Sequence, residues 1–552
     1  MSGKVANTVI DSLVNLGIDR IYGIPGDSLN PLMDAIRQNS SIMFIQARHE
    51  EGAALEASFE SKLTGKVTVC VGTSGPGSIH LLNGLYDAKM EGASVIALTG
   101  QVETDLIGSD YFQEINTNRL FDDVSVFNER IVNPENAEKI VVRAYREALF
   151  RKGVAHINLP VDVLRLPAPK MDNLSPGIFP RLDYAPDLIE ARKAINESRK
   201  PVLFIGKGCT GLESEIYAFA DATGSPVVYA LNGKGIVDDY DQRVMGSIGL
   251  LGTKPSVDAF READLLIMVG TSFPYIQFIP DGVRKIQVDI DPGKIGKRVP
   301  VDIPIVCSAK YFLDNIRPDA KKAKFFQTLA NGKEKWIRDM SAVENRESDP
   351  ILPESVAAEL SKKAAKDAII IGDTGNVTVW TVRNFRTGSG RRFMYSSWLG
   401  SMGIGIPGSI GVSFATDRQV IALVGDGSFA MTMMELITAA KYNRPVKIVV
   451  FNNSKLGMIK FEEEVMGYPD FGVDLYPQNF AGIANAIGIK GIRVEKYSDL
   501  ASGVSELLST DGPAVLDVVV SPDERPMPPK LQFSQVKGYV TSILRENLNF
   551  LD

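Results

Sequence analysis

Apolar residues along this chain fall into two alternating patterns. Short continuous runs rich in β-branched residues, such as IMFIQAR, VTVCVGT, PVLFIG, QVIALVGD and VKIVVFNN, alternate with longer segments whose apolar residues recur at helical spacing, such as EEGAALEASFESKL, SIHLLNGLYDAKM, LESEIYAFADATG and MTMMELITAAKY. Unbroken apolar runs suit strands buried on both faces, and helix-length segments between them suit crossovers, so the pattern predicts an α/β chain with parallel sheets. Two stretches interrupt it: LPAPKMDNLSPGIFPRLDYAPD (166–187), rich in proline and polar residues, and the charged, weakly periodic PDAKKAKFFQTLANGKEKWIRDMSAVENRESDP (318–350). Both read as linkers. They divide the chain into domains of 1–165, 184–317 and 351–552, as expected where one core serves roughly 100–200 residues. No short-period repeat is visible.

Composition narrows the function. A net charge of −7 and a pI near 5.4 argue against a nucleic-acid partner, which needs a basic face to neutralise phosphates. Cys70, Cys209 and Cys307 lie far apart, which fits neither a disulfide framework nor a zinc cluster. No apolar run approaches the ~20 residues of a membrane span. The opening MSGKVANTVIDSLVNLGIDRIYG has helical spacing instead of the charged start and apolar core of a signal peptide. The expectation is a cytoplasmic protein.

The chemistry enters at VGDGSFAMTMMELITAAKYNRPVKIVVFNN (424–453). A strand, a crossover helix and a second parallel strand would bring Asp426 and Asn453 to the same sheet edge, where α/β folds bind ligands. A carboxylate and an amide carbonyl are hard oxygen ligands suited to Mg²⁺, which fills its remaining positions with phosphate oxygens and water. Gly425 and Gly427 let backbone approach a phosphate, and Ser428 opens a helix whose amides face that anion. Asp-Gly and Asn-Asn are also ordinary turns after strands; their pairing across one crossover unit is the specific feature. The segment resembles the motif of thiamine-diphosphate enzymes, GDG followed at a fixed interval by NN. That resemblance implies Mg²⁺ held by Asp426, Asn453 and the backbone carbonyl of Lys455. It also implies thiamine diphosphate contacts from Gly427, Ser428, Leu456, Gly457 and Met458.

Other motifs fall in the order the family expects. RHEEGA resembles the family's RHE corner, whose Glu, here Glu50, faces the aminopyrimidine ring; acidic residues are also favoured in the first turn of any helix. SGPG-x-x-H-x-x-NGLYDA, with His80 and Asn83 one helical turn apart, resembles the pyruvate oxidase branch, as does SDYFQEIN with its Phe112–Gln113 pair. SSWLGSMGIGIPGSIGV is similar to the segment that supports the bent cofactor, with Ser401, Met402 and Gly403 at the contact. GDTGNVTVW (372–380) resembles the loop leading into the cofactor domain. Pro25, Gly26 and Thr73 complete the implied thiamine diphosphate contacts. The resemblance implies three Rossmann-like domains: pyrimidine-binding, FAD-binding and diphosphate-binding.

In the middle domain PVLFIGKGCTG contains G-x-G-x-x-G (Gly206, Gly208, Gly211), a weak dinucleotide signal without the usual acidic residue after it. GLLGTKP, GTSFPY and IQVDIDPGKIGKRVPVDIPIV resemble FAD-binding stretches of pyruvate oxidases and quinone-linked pyruvate dehydrogenases. This implies FAD contacts from Gly206, Lys207 and Gly208, from Gly249, Leu250, Leu251 and Gly252, from Thr271, Ser272, Phe273 and Pro274, and from Asp289, Ile290 and Asp291. Such strand ends also occur in flavin-free relatives. NNSKLGMIKFEEE resembles the oxidase pattern, with Met458 where oxidases usually carry Phe, Ile459 as an apolar wall and Glu462 as the active-site acid; Glu462 to Glu464 also read as a solvated acidic run.

The resemblance thus implies pyruvate, or another small 2-oxoacid, losing CO₂ to leave a thiamine-bound hydroxyethyl carbanion that reduces FAD. Acetate or acetyl phosphate would be the product, and quinone or O₂ the electron acceptor. It also implies a homo-oligomer, a dimer at minimum and a tetramer in expectation, because pyrimidine and diphosphate sites come from different subunits. The alternatives are an acetolactate synthase-like carboligase with a non-redox FAD and a catalytically inactive cofactor-binding scaffold. RPMPPKLQFSQVKGYVTSILRENLNFLD (525–552) resembles the last region of the quinone-linked bacterial enzyme without its amphipathic membrane-binding tail. Val536, Tyr539, Val540, Ile543 and Leu544 would share one helical face that lacks a basic flank, so at most peripheral membrane contact is expected.

Overall fold

The computed structural model describes residues 3–175, 177, 184–317, 323–388 and 390–525. The expected helical face at Val536 to Leu544 lies outside the described residues.

Three parallel six-stranded sheets follow one another along the chain. The first holds β1 (Arg20–Gly23), β2 (Met43–Gln46), β3 (Thr68–Gly72), β4 (Val95–Gln101), β5 (Ser125–Arg130) and β6 (Val154–Pro160). The second holds β7 (Pro201–Ile205), β8 (Val227–Tyr229), β9 (Val244–Ser247), β10 (Leu265–Val269), β11 (Arg284–Asp289) and β12 (Ile303–Val306). The third holds β13 (Ile369–Gly372), β14 (Arg392–Met394), β15 (Val420–Gly425), β16 (Val446–Asn452), β17 (Lys490–Val494) and β18 (Ala514–Val519). Helices cover both faces, so central strands such as LLIMV of β10 and TVCVG of β3 are buried at every position. That burial is why they read as unbroken apolar runs.

The first and third sheets share one strand order, β2-β1-β3-β4-β6-β5 and β14-β13-β15-β16-β18-β17, whereas the middle sheet runs β12-β11-β10-β7-β8-β9. The related topology of the two outer domains is invisible as a sequence repeat.

The stretches read as linkers are more ordered than their composition suggests. Residues 323–344 form a 22-residue helix that packs on the Lys254–Glu262 and Pro353–Lys363 helices. After Arg165 the chain stays on the first domain: Val5 N donates to Leu166 O at 3.0 Å, and the Glu138 carboxylate accepts from Asp172 N and Leu174 N at 2.8 and 2.7 Å.

The Glu50–Thr64 helix is the seam between the outer domains. It is buried from Gly52 to Lys62, lying against the Leu82–Glu91 helix on one side and the Gly405–Ser413 helix of the third domain on the other. The latter, GIPGSIGVS, is rich in helix-weakening residues. It forms because the contact demands small residues: a Cβ on Gly411 would lie 2.1 Å from the Glu56 carbonyl oxygen, and one on Gly408 would lie 2.9 Å from the Phe59 ring. Lys62 crosses the same seam, donating to Asp87 at 2.6 Å and to Tyr395 O at 3.2 Å.

Gly411→Ala is therefore expected to destabilise the fold by roughly 1–3 kcal/mol. Gly332→Ala, on the exposed side of the 323–344 helix with open space around it, is expected to stabilise by up to about 1 kcal/mol. Urea unfolding of the two variants checks the contrast, and equal midpoints would contradict the packing described for Gly411.

Candidate functional site

The parallel register pairs Gly425 of β15 with Phe451 of β16, so the residues that follow leave the sheet side by side. Asp426, 5% exposed, accepts from Gly427 N at 2.8 Å and Ser454 N at 2.5 Å. Burial pushes its carboxyl up to about 6 against the pull of those amides, and a divalent cation beside it would favour the ionised form. Asn453 Oδ1 accepts from Lys455 N at 3.1 Å. Ser454 has φ 54°, a left-handed conformation that non-glycine residues adopt mainly at constrained sites. The turn it makes is clamped by Leu456 N to Val473 O at 2.8 Å and Leu475 N to Ser454 O at 2.9 Å.

Around this edge the structure gathers several residues singled out from the sequence. A Cβ on Gly427 would lie 3.0 Å from Leu456 Cδ2, 3.3 Å from Leu475 Cδ1 and 3.4 Å from Met402 Cε, so only hydrogen fits between those side chains without displacing them. A Cβ on Gly457 would meet Asn376 Nδ2 at 2.4 Å and Asn453 Nδ2 at 3.2 Å. Ser428 Oγ donates to Thr374 O at 3.2 Å, and Gly403 O accepts from Thr432 Oγ1 at 2.8 Å. The donor set suits Mg²⁺ and a diphosphate: a buried carboxylate, an amide oxygen and a bare glycine backbone. The buried Asn376 Oδ1 beside it has no hydrogen-bond partner among the described residues.

Asp373, within GDTGNVTVW, organises this edge although its sequence context points to no role for it. Its Oδ1 accepts from Thr374 N at 2.7 Å and Gly403 N at 3.0 Å, and its Oδ2 from Gly405 N at 2.8 Å. It thereby ties the end of β13 to the backbone that carries Met402. Burial raises its carboxyl to about 6.

The first domain presents a second edge. Pro25 and Gly26 follow β1, Thr73 follows its neighbour β3, and Gly26 abuts the Thr73 hydroxyl, which bonds Ser28 Oγ at 2.8 Å. Glu50 opens its helix behind His49, whose Nδ1 caps Glu51 N at 3.2 Å. The Glu50 side chain is 9% exposed, and its Oε2 lies 3.0 Å from His80 Nδ1. The His49 and His80 rings stack at 4.4 Å. Gln113, at φ 62°, packs on Gly75, while Phe112 is 73% exposed.

Two contacts join these edges to each other. Asn83 Nδ2 donates to Glu51 Oε1 at 2.6 Å and to Ser401 Oγ at 2.8 Å in the third domain. Glu435, absent from the sequence expectations, accepts from Arg48 N and His49 N at 2.9 Å each through Oε1, while Thr438 Oγ1 holds its Oε2 at 2.6 Å. A third-domain carboxylate thus fixes the backbone corner that aims Glu50. Its sequence signal, a Glu inside an apolar helix, does not name its partner.

The Gly457–Met466 helix carries Met458, packed on the third-domain core, with Ile459 and Glu462 exposed. The acidic run is not uniformly solvated: Glu464 is buried and makes a two-pronged pair with Arg525 at 2.7 and 2.9 Å. Lys455 pairs its ammonium with Asp474, leaving only its backbone carbonyl for the role implied by resemblance.

The four flavin-like stretches all follow the carboxyl ends of β7, β9, β10 and β11. The glycines of the first serve close packing, since Cβ atoms on Gly206 and Gly208 would lie 2.6 Å from Thr271 Cβ and 2.7 Å from Gly270 Cα. Lys207 projects into a neighbouring cavity. Phe273, followed by Pro274, is buried beside Gly249, and the DIDP turn is held by Asp289 Oδ1 to Asp291 N and Asp291 Oδ1 to Gly293 N, both 2.9 Å, with Ile290 exposed between them. Arg383 of the third domain donates to the carbonyls of Leu250, Leu251 and Gly252 at 2.7, 3.2 and 2.9 Å. That clamp is a third feature the sequence reading missed, after Asp373 and Glu435. Ser272 lies between Thr271 and Phe273 on the same loop.

No helix among the described residues is long and apolar enough to cross a membrane. Family models match three parts of the chain: the thiamine pyrophosphate enzyme N-terminal TPP binding domain over residues 3–120, the central domain over 188–316 and the C-terminal TPP binding domain over 373–518. The chain is 39% identical over 562 residues to YdaP of Bacillus subtilis (strain 168), whose name ties it to thiamine pyrophosphate, with 100% of this chain and 98% of the relative covered. It is 32% identical over 539 residues to a pyruvate oxidase of Lactiplantibacillus plantarum, covering 94% and 89%. Against an acetolactate synthase large subunit of Corynebacterium glutamicum it is 31% identical over 551 residues, covering 95% and 88%. With its paired strand-end edges and these matches, the chain belongs to the thiamine pyrophosphate enzyme family.

Proposed function

We propose that the chain is a pyruvate oxidase or quinone-linked pyruvate dehydrogenase that uses thiamine diphosphate, Mg²⁺ and FAD. It forms CO₂ and acetate or acetyl phosphate, passes electrons to a quinone or O₂, and works as a homo-oligomer, a dimer at least and a tetramer by resemblance. The observation that carries the reading is the buried Glu50 carboxylate, aimed by the Glu435 clamp on its corner and met by His80 at 3.0 Å. When bound, thiamine diphosphate supplies a nucleophilic carbon that stabilises the charge left by CO₂, and FAD supplies a two-electron acceptor.

The chain's own residues supply the rest. Asp426, Asn453 and the Lys455 carbonyl would hold Mg²⁺ and through it the diphosphate. Asp373 holds the Gly403 backbone next to Met402, whose side chain reaches Gly427. Glu50 holds or releases a proton at Oε1 or Oε2, and His80 orients that carboxylate. Gln113, packed on Gly75, and the exposed Phe112 would meet pyruvate as it enters. The pyruvate oxidase relative and the oxidase-like NNSKLGMIKFEEE segment support oxidation; the acetolactate synthase relatives support carboligation as the second reading.

An anaerobic absorbance titration with pyruvate separates the two. The protein supplied with Mg²⁺, thiamine diphosphate and FAD is expected to lose its flavin band only when thiamine diphosphate is present. A stable band accompanied by CO₂ and acetolactate would instead establish the carboligase.

Glu50→Gln is expected to lower pyruvate turnover by about 10²–10⁴-fold while leaving thiamine diphosphate affinity within a few-fold. Single-turnover CO₂ release and calorimetry report the two quantities. Unchanged turnover would remove Glu50 from the proton-transfer role.

A further inference from the structure

Where the three domains meet there is a cavity of about 490 Å³, a size suited to a small organic ligand. The first domain contributes Lys62 and Glu91, the middle domain Lys207 and Lys234, and the third domain Arg391, Arg392 and Arg418. Lys207, Thr210 and Gly211 on its wall come from the GKGCTG loop, the flavin-like stretch that reaches it among the described residues.

Two of the cations are already neutralised, Lys62 by Asp87 at 2.6 Å and Lys234 by Asp239 at 2.5 Å. The other four donate hydrogen bonds only to backbone carbonyls among the described residues, although Arg391 also lies over the Phe385 ring at 5.3 Å and Lys207 feels the charge of Glu91. Lys207 donates to Glu91 O at 3.2 Å and Arg392 to Lys62 O at 2.9 Å. Arg391 donates to Ala364 O and Ala365 O at 2.5 and 2.9 Å, and Arg418 to Asp367 O and Gly390 O at 2.6 and 2.8 Å. Two carboxylates, Glu91 and Glu213, stand against them. Glu91 is itself engaged by Ser397 N and Oγ at 2.6 Å and by Asn232 Nδ2 at 3.0 Å.

Four cations that face two carboxylates in a recess are costly to desolvate. Desolvation depresses Arg391 and Arg392 below the usual guanidinium range and brings the Lys207 ammonium down to about 8. An acidic protein that concentrates at one domain junction four cations with no carboxylate hydrogen bond among the described residues offers an anion a place there. Guanidinium forks match carboxylate and phosphate oxygens in pairs.

We propose that this cavity is a second ligand site that binds a small multivalent anion, an organic phosphate or a polycarboxylate, between Lys207 and the guanidinium groups of Arg391, Arg392 and Arg418. Because its walls come from all three domains, occupancy ties the domains together.

The test is calorimetry on the full chain saturated with thiamine diphosphate, Mg²⁺ and FAD, so that the sites for those cofactors are filled. Pyrophosphate and citrate are the two probes. Saturable binding of at least one is expected, weakened about tenfold or more by both Lys207→Gln and Arg418→Gln and by raised salt; the tighter probe tells phosphate from carboxylate chemistry. Thermal midpoints report whether each variant folds, and Lys207→Gln, which gives up a single carbonyl contact, carries the test if Arg418→Gln does not fold. No binding of either probe, or binding that is indifferent to the folded variants, would overturn the proposal. Binding that appears only when FAD is omitted would also overturn it, by making the cavity part of the flavin site.

Discussion

The contact between the Glu50–Thr64 helix and the Gly405–Ser413 helix holds the rest of the architecture in place. Gly411 lets the two backbones touch at Glu56, which no side-chain-bearing residue would permit. From that touch the other geometry follows. The third domain comes close enough for Glu435 to grip the backbone of Arg48 and His49, and for Ser401 to meet Asn83. Without the seam, Glu50 would begin an ordinary helix and Met402 would sit on an ordinary loop.

The outer domains illustrate how one topology carries two chemistries. Both sheets run in the same strand order and gather the candidate site residues at the carboxyl ends of neighbouring parallel strands. One edge offers Asp426 and Asn453, hard oxygen groups suited to a cation; the other offers Glu50, Thr73 and His80, groups suited to a proton and a neutral ring. The division resides in a few strand-end residues, consistent with function being grafted onto a fold.

Legibility in the sequence followed the range of the interactions. Strands buried on both faces announced themselves as apolar runs, and β15, its crossover and β16 fell where QVIALVGD, MTMMELITAAKY and VKIVVFNN indicated. Asp426 and Asn453 were readable because a single crossover relates them. Asp373, Glu435 and Arg383 were not, since each acts on backbone that is distant in sequence, and a carboxylate accepting amide hydrogens leaves no compositional trace. The 323–344 segment looked like a linker because its charges dominate its periodicity, and it forms a helix where neighbouring helices cover its apolar side. The glycines of GKGCTG gave a weak dinucleotide signal by pattern, yet Gly206 and Gly208 are needed by the approach of the Gly270–Thr271 backbone after β10; the motif records packing as readily as ligand binding.

The claim on which the whole account stands is that Asp426, at the end of β15, holds the diphosphate of thiamine diphosphate through Mg²⁺. Calorimetric titration of thiamine diphosphate into wild type and Asp426→Ala, each with Mg²⁺ and with a chelator, addresses it directly. The account predicts saturable binding by wild type with Mg²⁺ and none in the other three combinations. Equal binding by Asp426→Ala, or binding by wild type that is indifferent to chelation, would contradict it.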